Sequence, residues 1–212
     1  RLVWEKSIRE ALNKDNFVLF LQPIMDIRQN LIVGHEALLR MINEKGEMVT
    51  PSSFLDIAER FGLIHDIDRW VVRRAIHLIQ KLKQDNKPTY LEVNLSGRSY
   101  ADKQLLPLIR NELTETGIDP ASLVFEITET AFIENMAAAQ LFIAELKSLG
   151  FRFALDDFGI GFSSFNYLKH LPVDYLKIDG SFVRNLPHDT VAQHLVKAMV
   201  EVSRGLGKKT IA

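Results

Sequence analysis

The chain has 212 residues, 47% of them apolar, which is enough to bury a substantial core in one large domain or two small ones. Its 26 basic and 27 acidic residues give a formal net charge of −1, which argues against a protein that coats the phosphates of a nucleic-acid polymer. It contains no cysteine, so disulfides, thiolate metal sites and cysteine nucleophiles are excluded.

No apolar run approaches the roughly 20 residues needed to span a bilayer, and the N-terminus lacks the apolar stretch of a signal peptide. We therefore expect no direct membrane insertion of this segment and a cytoplasmic location, either alone or as the cytoplasmic portion of a membrane-anchored parent protein. No linker rich in glycine, serine or proline interrupts the chain, so one domain over residues 1–212 is expected.

The first elements predicted along the chain are a helix and a hairpin. Residues 1–13 carry apolar side chains at helical spacing and predict a lead-in helix. Strand patterns follow at 17–24 and 31–39, and only six residues separate them. A parallel crossover needs a dozen or more residues, so these two strands should run antiparallel.

Strand and helix patterns alternate after the hairpin. A helix is expected from Thr50, as its N-cap, to about Phe61, with Pro51 at the first helical position, and a long helix from about Asp66 to Gln84. Further elements follow to the end of the chain: strands at 90–95, 123–128, 151–156 and 175–179, and helices near 101–115, 134–148 and 189–205. Such alternation is typical of a mostly parallel sheet, and this many units favour a barrel.

Polar side chains recur at the ends of these strands, on the face opposite the aliphatic residues. Successive strand residues point to opposite faces, and functional groups of a parallel barrel collect at the C-terminal strand ends. One interior site should therefore receive the polar side chains of Glu36, Arg40, Asn94, Glu126, Asp156, Lys177 and Asp179. We expect the strand to end at Asp156, and Gly159 and Gly161 to let the chain turn so that Asp157 reaches the same site.

The chemistry of these side chains favours a divalent cation. Oxygen donors of the kind that Mg²⁺ and Mn²⁺ prefer are Glu36, Asn94, Glu126, Asp156 and Asp157. Two adjacent aspartates can serve two cations roughly 4 Å apart, an arrangement that clamps the attacking and leaving oxygens in phosphoryl hydrolysis. Lys177 would then hold the nucleophilic water or neutralise the transition state, and Arg40 offers a bidentate fork to a phosphate.

Each of these residues also has a purely structural interpretation. A single glutamate such as Glu36 is more often a surface or paired acid than a ligand, and Asn94 alone would most often cap a turn. The coincidence of polar residues at five strand ends is what favours a site. Two nucleotide motifs are rejected. The Asp157-Phe158-Gly159 run lacks the accompanying kinase loops, and residues 205–210 lack the pattern of a phosphate loop and predict a helix end entering a strand.

Seven short motifs, in order along nearly the whole chain, carry a specific resemblance. They are Gln22-Pro23-Ile24, Glu36-Ala37-Leu38-Leu39-Arg40, Pro51-Ser52-Ser53-Phe54, Asn94-Leu95-Ser96, Glu126-Ile127-Thr128-Glu129, Asp156-Asp157-Phe158-Gly159 and Leu176-Lys177-Ile178-Asp179. With these motifs the chain resembles the EAL domain family of cyclic di-GMP phosphodiesterases. The resemblance implies an α/β fold, a modified TIM (β/α)8-like barrel with one antiparallel strand, and hydrolysis of cyclic di-GMP to linear pGpG with two Mg²⁺ or Mn²⁺ ions.

The resemblance also implies roles for individual residues, carried over by matching position. The implied metal ligands are Glu36, Asn94, Glu126 and Asp156, with Asp157 serving the second metal. Lys177 resembles the residue that orients the attacking water, which together with Glu36 and Asp157 makes the implied catalytic group. The implied contacts on the substrate side are Gln22, Arg40 and Asp179, the last of which also helps to arrange the second metal or its water. Glu129 resembles the acid that anchors the loop after Asp157.

Two stretches depart from the family pattern. The loop after the aspartate pair often reads Gly-Thr-Gly-Tyr-Ser-Ser-Leu, whereas here Ile160, Phe162 and Phe165 stand at three of its positions and two hydroxyls are lost. The family loop links dimerisation to the second metal, so a homodimer is expected and rate and regulation are affected. The family also continues beyond Ala212 with a glutamate and a glutamine. We therefore expect the C-terminal strands to be missing from this chain by truncation or disorder, since an open edge would otherwise remain.

Three functions fit the motifs. The first is the phosphodiesterase, in a parent chain that carries an additional sensory or GGDEF-type domain. The second is a catalytically weak or inactive receptor that binds cyclic di-GMP and signals to a partner. Degenerate members of that kind usually lose a motif acid, and all of those up to residue 212 are present, which favours the enzyme. A barrel hydrolase of another phosphate ester would keep the metal ligands but not both Gln22 and Arg40.

Overall fold

The computed structural model describes residues 2–87, 89–160 and 165–212. They form two compact units, Arg1–Val124 and Phe125–Ala212, which are described in turn. Both units contain strands and helices in alternation, as the sequence predicts. Among the described residues, no helix combines the length and the apolar character needed to cross a membrane.

The first unit begins with the predicted lead-in helix and hairpin. Its helices are α1 (Leu2–Asn13), α2 (Leu55–Arg60), α3 (Ile64–Gln84) and α4 (Leu105–Thr116), and its strands are β1 (Phe17–Asp26), β2 (Leu31–Ile42), β3 (Met48–Val49) and β4 (Tyr90–Asn94). Strands β1 and β2 pair antiparallel, which confirms the prediction from the short connection. Strand β4 lies parallel to β2 on the other side, and short β3 pairs with the end of β2.

Aromatic packing accompanies the break in the helix expected from Thr50. Phe17 of β1 is fully buried, with its ring centroid 5.9 Å from that of Phe54 and 5.6 Å from that of Trp70. The expected helix from Thr50 to Phe61 is therefore interrupted. A 3-10 turn at Pro51–Ser53 precedes α2, and Phe54 between them turns into the core with φ −133°. Thr50 makes no side-chain capping hydrogen bond, so the prediction of one capped helix is wrong.

Strand β2 contains a glycine where the side chain of a β4 residue lies close to its backbone. Gly34 pairs with Tyr90 across the parallel ladder, and a Cβ added to Gly34 would lie 2.4 Å from the Cζ atom of the tyrosine ring. Such a distance is far inside van der Waals contact, so only glycine fits at this position without movement of the ring. The same ladder pairs Glu36 with Glu92.

The second unit contains most of β5 (Leu123–Thr128). Its remaining strands are β6 (Arg152–Phe158), β7 (Tyr175–Ile178) and β8 (Lys209–Ile211), and its helices are α5 (Glu129–Glu134), α6 (Met136–Ser148), α7 (Phe165–His170), α8 (Gly180–Val183) and α9 (Thr190–Gly205). The strands follow the order β5-β6-β7-β8, with β6 and β8 each parallel to β7.

Two details of the second unit bear on the sequence predictions. The helix expected near 134–148 is confirmed as α6, which begins after Asn135, whose side-chain oxygen accepts a hydrogen bond of 3.4 Å from the Ala138 amide. Helix α9 ends at Gly205, and Gly207 with φ 69° leads the chain into β8. The interpretation of residues 205–210 as a helix end entering a strand is confirmed.

Candidate functional site

The first unit brings together two of the predicted metal ligands. Glu36 lies in β2 and Asn94 at the end of the neighbouring β4, and the Asn94 amide nitrogen donates a hydrogen bond of 3.1 Å to Glu36 Oε1. Gln22 of β1 pairs directly with Glu36 across the antiparallel ladder. Because the amide nitrogen is the donor to Glu36, the amide oxygen of Asn94 is a separate acceptor atom. The side chains of Gln22, Glu36 and Asn94 therefore belong to three adjoining strands.

Arg40 is held at the other end of the same strand face. Its guanidinium carbon lies 5.7 Å from the centroid of the Phe20 ring, and Nη1 donates a hydrogen bond of 2.6 Å to the Leu39 carbonyl oxygen. Strand pairing places Arg40 opposite Val18 and Phe20 opposite Leu38. A guanidinium over an aromatic face gains about 0.5–2 kcal/mol from the interaction, so Phe20 restricts where the fork of Arg40 points.

Ser96, two residues beyond the end of β4, is anchored by an acid that the sequence interpretation did not select. Asp68 of α3 is only 4% exposed, and its Oδ2 atom accepts hydrogen bonds of 3.1 Å from the Ser96 amide and 2.5 Å from the Ser99 hydroxyl. Burial raises the pKa of Asp68 to about 7, and the charges of Glu59 and Asp102 act in the same direction. The signal was available, because Asp68 interrupts an apolar stripe on the buried face of α3.

The second unit brings together three of the predicted site residues. Lys177 of β7 is buried, and its ammonium donates a hydrogen bond of 2.6 Å to Glu126 Oε1 on β5. The same nitrogen lies 3.9 Å from Asp156 Oδ1 on β6. The three strands are consecutive in the sheet, which is how residues 51 positions apart reach hydrogen-bond distance. A cation of the protein thus lies between two of the predicted acids.

Asp156 and Asp157 form a bulge in β6. In the ladder with β7, Leu155 pairs with Leu176 and Phe158 with Ile178, so both aspartates stand opposite the single residue Lys177. The expectation that the strand ends at Asp156 is wrong, because β6 resumes through Phe158, which is buried. Asp157 adopts the left-handed backbone with φ 57°. The bulge therefore keeps the Asp157 side chain out of the apolar core. A chain turn at Gly159 and Gly161 was expected to have this effect.

The surroundings of Asp157 are strongly acidic. Burial raises the pKa of Asp157, and the charges of Asp156 and Asp179 raise it further, while Lys177 opposes them. Asp179 itself caps α8, since its Oδ1 accepts a hydrogen bond of 2.7 Å from the Ser181 amide. A side-chain hydrogen bond with Ser181 lowers the pKa of Asp179, and the bond from the Ser181 amide lowers it further. Asp179 is therefore a structural cap as well as a predicted site residue.

Glu129 is buried at the start of α5 and accepts a hydrogen bond from the Tyr167 hydroxyl of α7. The ring of Tyr167 also packs at 5.7 Å from that of Phe132. Residues 161–164, including Phe162 of the altered loop, lie outside the described residues, as does the side chain of Phe165, while Ile160 is exposed. The described contact connects Glu129 to the helix that follows the loop.

The donor set fits a hard divalent cation in its chemistry. Carboxylate and amide oxygens are the atoms offered, and the acidic surroundings of Asp157 are of the kind that a bound cation neutralises. Within residues 2–87, 89–160 and 165–212, no group of three or more histidine, aspartate and glutamate side chains is arranged to hold a metal. The metal ligands thus stay a prediction.

Comparison with known proteins identifies the family. The EAL domain model matches residues 5–212. The cyclic di-GMP phosphodiesterase PdeB of Shewanella oneidensis is 37% identical over 217 residues, which cover 99% of this chain and 24% of PdeB. MucR of Pseudomonas aeruginosa, a bifunctional diguanylate cyclase/cyclic di-GMP phosphodiesterase, is 34% identical over 207 residues, covering 97% of this chain and 30% of MucR. The chain thus spans about a quarter to a third of the length of these relatives.

A solved structure confirms the fold class. The PaMucR phosphodiesterase, in its complex with c-di-GMP, superposes with a TM-score of 0.89 at 34% sequence identity, covering 98% of this chain and 84% of that chain. The predicted α/β fold, a modified TIM (β/α)8-like barrel with one antiparallel strand, is confirmed by this likeness. Both the sequence motifs and the fold lead to the same assignment, and the chain belongs to the EAL domain family.

Proposed function

We propose that this chain is a metal-dependent phosphodiesterase that hydrolyses cyclic di-GMP to linear pGpG. The observation that supports this most directly is the position of Lys177, with its ammonium 2.6 Å from Glu126 and 3.9 Å from Asp156. A buried cation beside two carboxylates, opposite a bulge that presents a third, is an arrangement suited to hold a water molecule and a phosphate oxygen. Membership of the EAL family supplies the substrate class.

The metal would be held by the oxygen donors predicted for it, which are Glu36, Asn94, Glu126, Asp156 and Asp157. When two Mg²⁺ or Mn²⁺ ions are bound, they supply Lewis acidity toward phosphate oxygens and lower the pKa of water. The hydrogen bond from Asn94 to Glu36 fixes the amide so that its oxygen and the Glu36 carboxylate are offered side by side. The chain itself would therefore orient Asn94 and Glu36 in the absence of a bound ion.

Lys177 is proposed to orient the attacking water. An ammonium has three N–H groups, and one of them is directed to Glu126, which fixes the position of the nitrogen. A second N–H would bind the water oxygen and hold it in line with the scissile P–O bond. In the reaction, the water oxygen bonds to phosphorus and one P–O ester bond breaks. The proton that the water loses is balanced by the proton that the departing ribose oxygen takes up. Asp157 would help to hold the second cation.

The substrate would be held on the strand face of the first unit. Arg40 offers a bidentate fork to a phosphate, and its contact with Phe20 limits the rotation of that fork. Gln22, which pairs with Glu36, would donate to the same ligand. Asp179 is proposed to act beside the substrate and the second metal, and Glu129 to anchor the loop after Asp157 through its contact with Tyr167.

A cyclic di-GMP receptor without turnover is the second candidate. It is favoured by the altered loop, where Ile160, Phe162 and Phe165 replace residues common in the family. Incubation of the full-length protein with cyclic di-GMP, in the presence of Mg²⁺, Mn²⁺ or a chelator, separates the two functions. We expect metal-dependent formation of pGpG. Tight binding of cyclic di-GMP with no product in either metal would instead identify the receptor.

We further propose the setting in which the domain works. Residues 1–212 would form one EAL-type domain with a lead-in helix at 1–13, in the cytoplasm and as a homodimer. The parent chain would carry an additional sensory or GGDEF-type domain, which is supported by the small share of PdeB that this chain spans and by the bifunctional name of MucR. Sedimentation of the full-length protein with and without cyclic di-GMP tests the dimer.

A further inference from the structure

The segment after Asn94 is fastened to α3 by one buried carboxylate. Asp68 Oδ2 accepts both the Ser96 amide, at 3.1 Å, and the Ser99 hydroxyl, at 2.5 Å. Asp68 is 4% exposed and belongs to the buried face of α3. An isolated carboxylate is costly to bury. The two hydrogen bonds to Oδ2 offset part of this cost, and they also satisfy the Ser96 amide and the Ser99 hydroxyl.

Ser96 is held on its other side as well. Its hydroxyl donates a hydrogen bond of 3.0 Å to Glu59 Oε1 and accepts one of 3.3 Å from the Arg98 amide. Between Ser96 and Asn94 lies only Leu95, whose side chain is buried. Strand β4 ends at Asn94, where the regular ladder no longer restrains the backbone. The bonds to Ser96 therefore take over the restraint two residues beyond the side chain that contacts Glu36.

We propose that Asp68 is a positioning residue, which acts through Ser96 to hold Asn94 in the orientation that the cation and its neighbouring Glu36 require. This inference rests on the function proposed above. The hydrogen bonds described for Asp68 come from Ser96 and Ser99, neither of which is a proposed metal ligand. The contribution of Asp68 is geometric, and residues that orient metal ligands in this way typically change metal affinity about 10–100-fold when they are removed.

A purely structural role for Asp68 predicts a different outcome and has a matched control. Glu112 of α4 is also 4% exposed, and it joins α4 to α3 by accepting from Arg73 Nε at 2.8 Å and contacting His77 Nε2 at 2.8 Å. It is a buried acid of the same unit, yet it is bonded to helix side chains rather than to the end of β4. If Asp68 serves only stability, substitution of Asp68 and substitution of Glu112 should therefore have similar effects.

The experiment is a titration with Mn²⁺ alone, followed by electron paramagnetic resonance, on the full-length protein. Asp68→Leu replaces the carboxylate by an apolar group of similar shape and keeps the core filled. We expect it to weaken Mn²⁺ binding about tenfold, while Asp68→Asn, which keeps an acceptor oxygen, stays within about threefold of the wild type. Glu112→Ala should lower the unfolding midpoint and leave Mn²⁺ affinity unchanged.

A double-mutant cycle tests whether the effect passes through Asn94. In an Asn94→Ala background, Asp68→Leu should produce no further loss of Mn²⁺ affinity, because the side chain that it positions is already absent. Full additivity, or an unchanged affinity in Asp68→Leu, would overturn the inference and leave the proposed function intact. A wild-type protein that binds no Mn²⁺ would overturn both. If Asp68→Leu does not fold, the comparison is made with Asp68→Ser, whose hydroxyl is shorter than the carboxylate.

Discussion

Lys177 of β7 donates a hydrogen bond of 2.6 Å to Glu126 of β5, and both side chains are buried. Paired charges of this kind are strongly dependent on each other, because removal of one leaves the other uncompensated in a medium of low polarity. The pair also faces the bulge that carries Asp156 and Asp157. One lysine thus connects the packing of three strands with the chemistry proposed for them.

Lys177→Ala should reduce turnover of cyclic di-GMP far more than binding. The substrate would still meet Arg40 and Gln22, whereas the group proposed to orient the water is lost. Turnover is measured by product formation and binding by calorimetry. Lys147→Ala serves as the control, since its ion pair with Asp174, at 2.8 Å, is part-buried and belongs to no predicted site. Equal losses of turnover and binding would make Lys177 a substrate anchor instead.

Glu36→Ala and Asp156→Asn should each abolish the Mg²⁺-dependent conversion of cyclic di-GMP to pGpG, because each removes a proposed metal ligand. The folded state should persist in Asp156→Asn, which keeps the shape of the side chain. Glu201→Ala, which breaks an exposed ion pair with Arg204 on α9, is the matched control and should retain activity. Undiminished turnover in either of the first two variants would contradict the metal assignment.

Gly34→Ala should destabilise the protein by about 1–3 kcal/mol, a range typical of overpacking. The new Cβ would lie 2.4 Å from Tyr90 Cζ, so the ring or the ladder must move. Gly205→Ala is the control, because a Cβ there meets nothing within 4 Å. Urea denaturation measures both variants, and truncation of the ring in Gly34→Ala/Tyr90→Ala should recover part of the loss. If the two single variants are equally stable, the Tyr90 ring moves aside at little cost in free energy.

Asp68 predicts a pH dependence of stability. Its folded pKa of about 7 lies above the ordinary 3.8, so the folded state binds more protons than the unfolded state between these values. The contribution of Asp68 to the free energy of unfolding is complete below pH 3.8 and is lost as the pH rises to about 7. Between pH 5 and 8, the wild type should therefore lose roughly 2–3 kcal/mol relative to Asp68→Asn.

Denaturation of both proteins at each pH measures this difference. Other titrating groups contribute equally to the two proteins, so only the difference between them reports on Asp68. A constant difference across the range would mean that the two donors, Ser96 and Ser99, keep the carboxylate ionised in the folded state.

The elements that depend on local pattern could be predicted from the sequence, and those that depend on tertiary contacts could not. The antiparallel hairpin follows from a connection too short for a crossover, and the residues of the second unit around Lys177 follow from strand alternation. The helix expected from Thr50 fails because Phe54 is drawn into the core by Phe17. Glu129 and Tyr167 are in contact although they lie 38 positions apart, and no local sequence pattern predicts such a contact.

Strand alternation has a specific weakness that β6 illustrates. The argument assumes a uniform pleat, and a bulge of one residue reverses the faces of everything beyond it. Asp156 and Asp157 both lie in this irregularity, opposite Lys177. The prediction for Asp157 depended on where the strand ends, and β6 continues to Phe158. Asp68 was missed because site residues were sought at strand ends, whereas Asp68 lies on the buried face of helix α3.

Asp157 has a left-handed backbone, with φ 57°. This conformation limits which substitutions can remove the charge of Asp157 without changing the local backbone. Asparagine and glycine adopt that conformation readily, whereas alanine and valine pay about 1–2 kcal/mol or more. Asp157→Asn therefore removes a charge and preserves the local geometry, while Asp157→Ala changes both. An alanine scan would confuse a defect of the backbone with a defect of chemistry here, and a randomised library should recover folded proteins mainly with aspartate, asparagine or glycine.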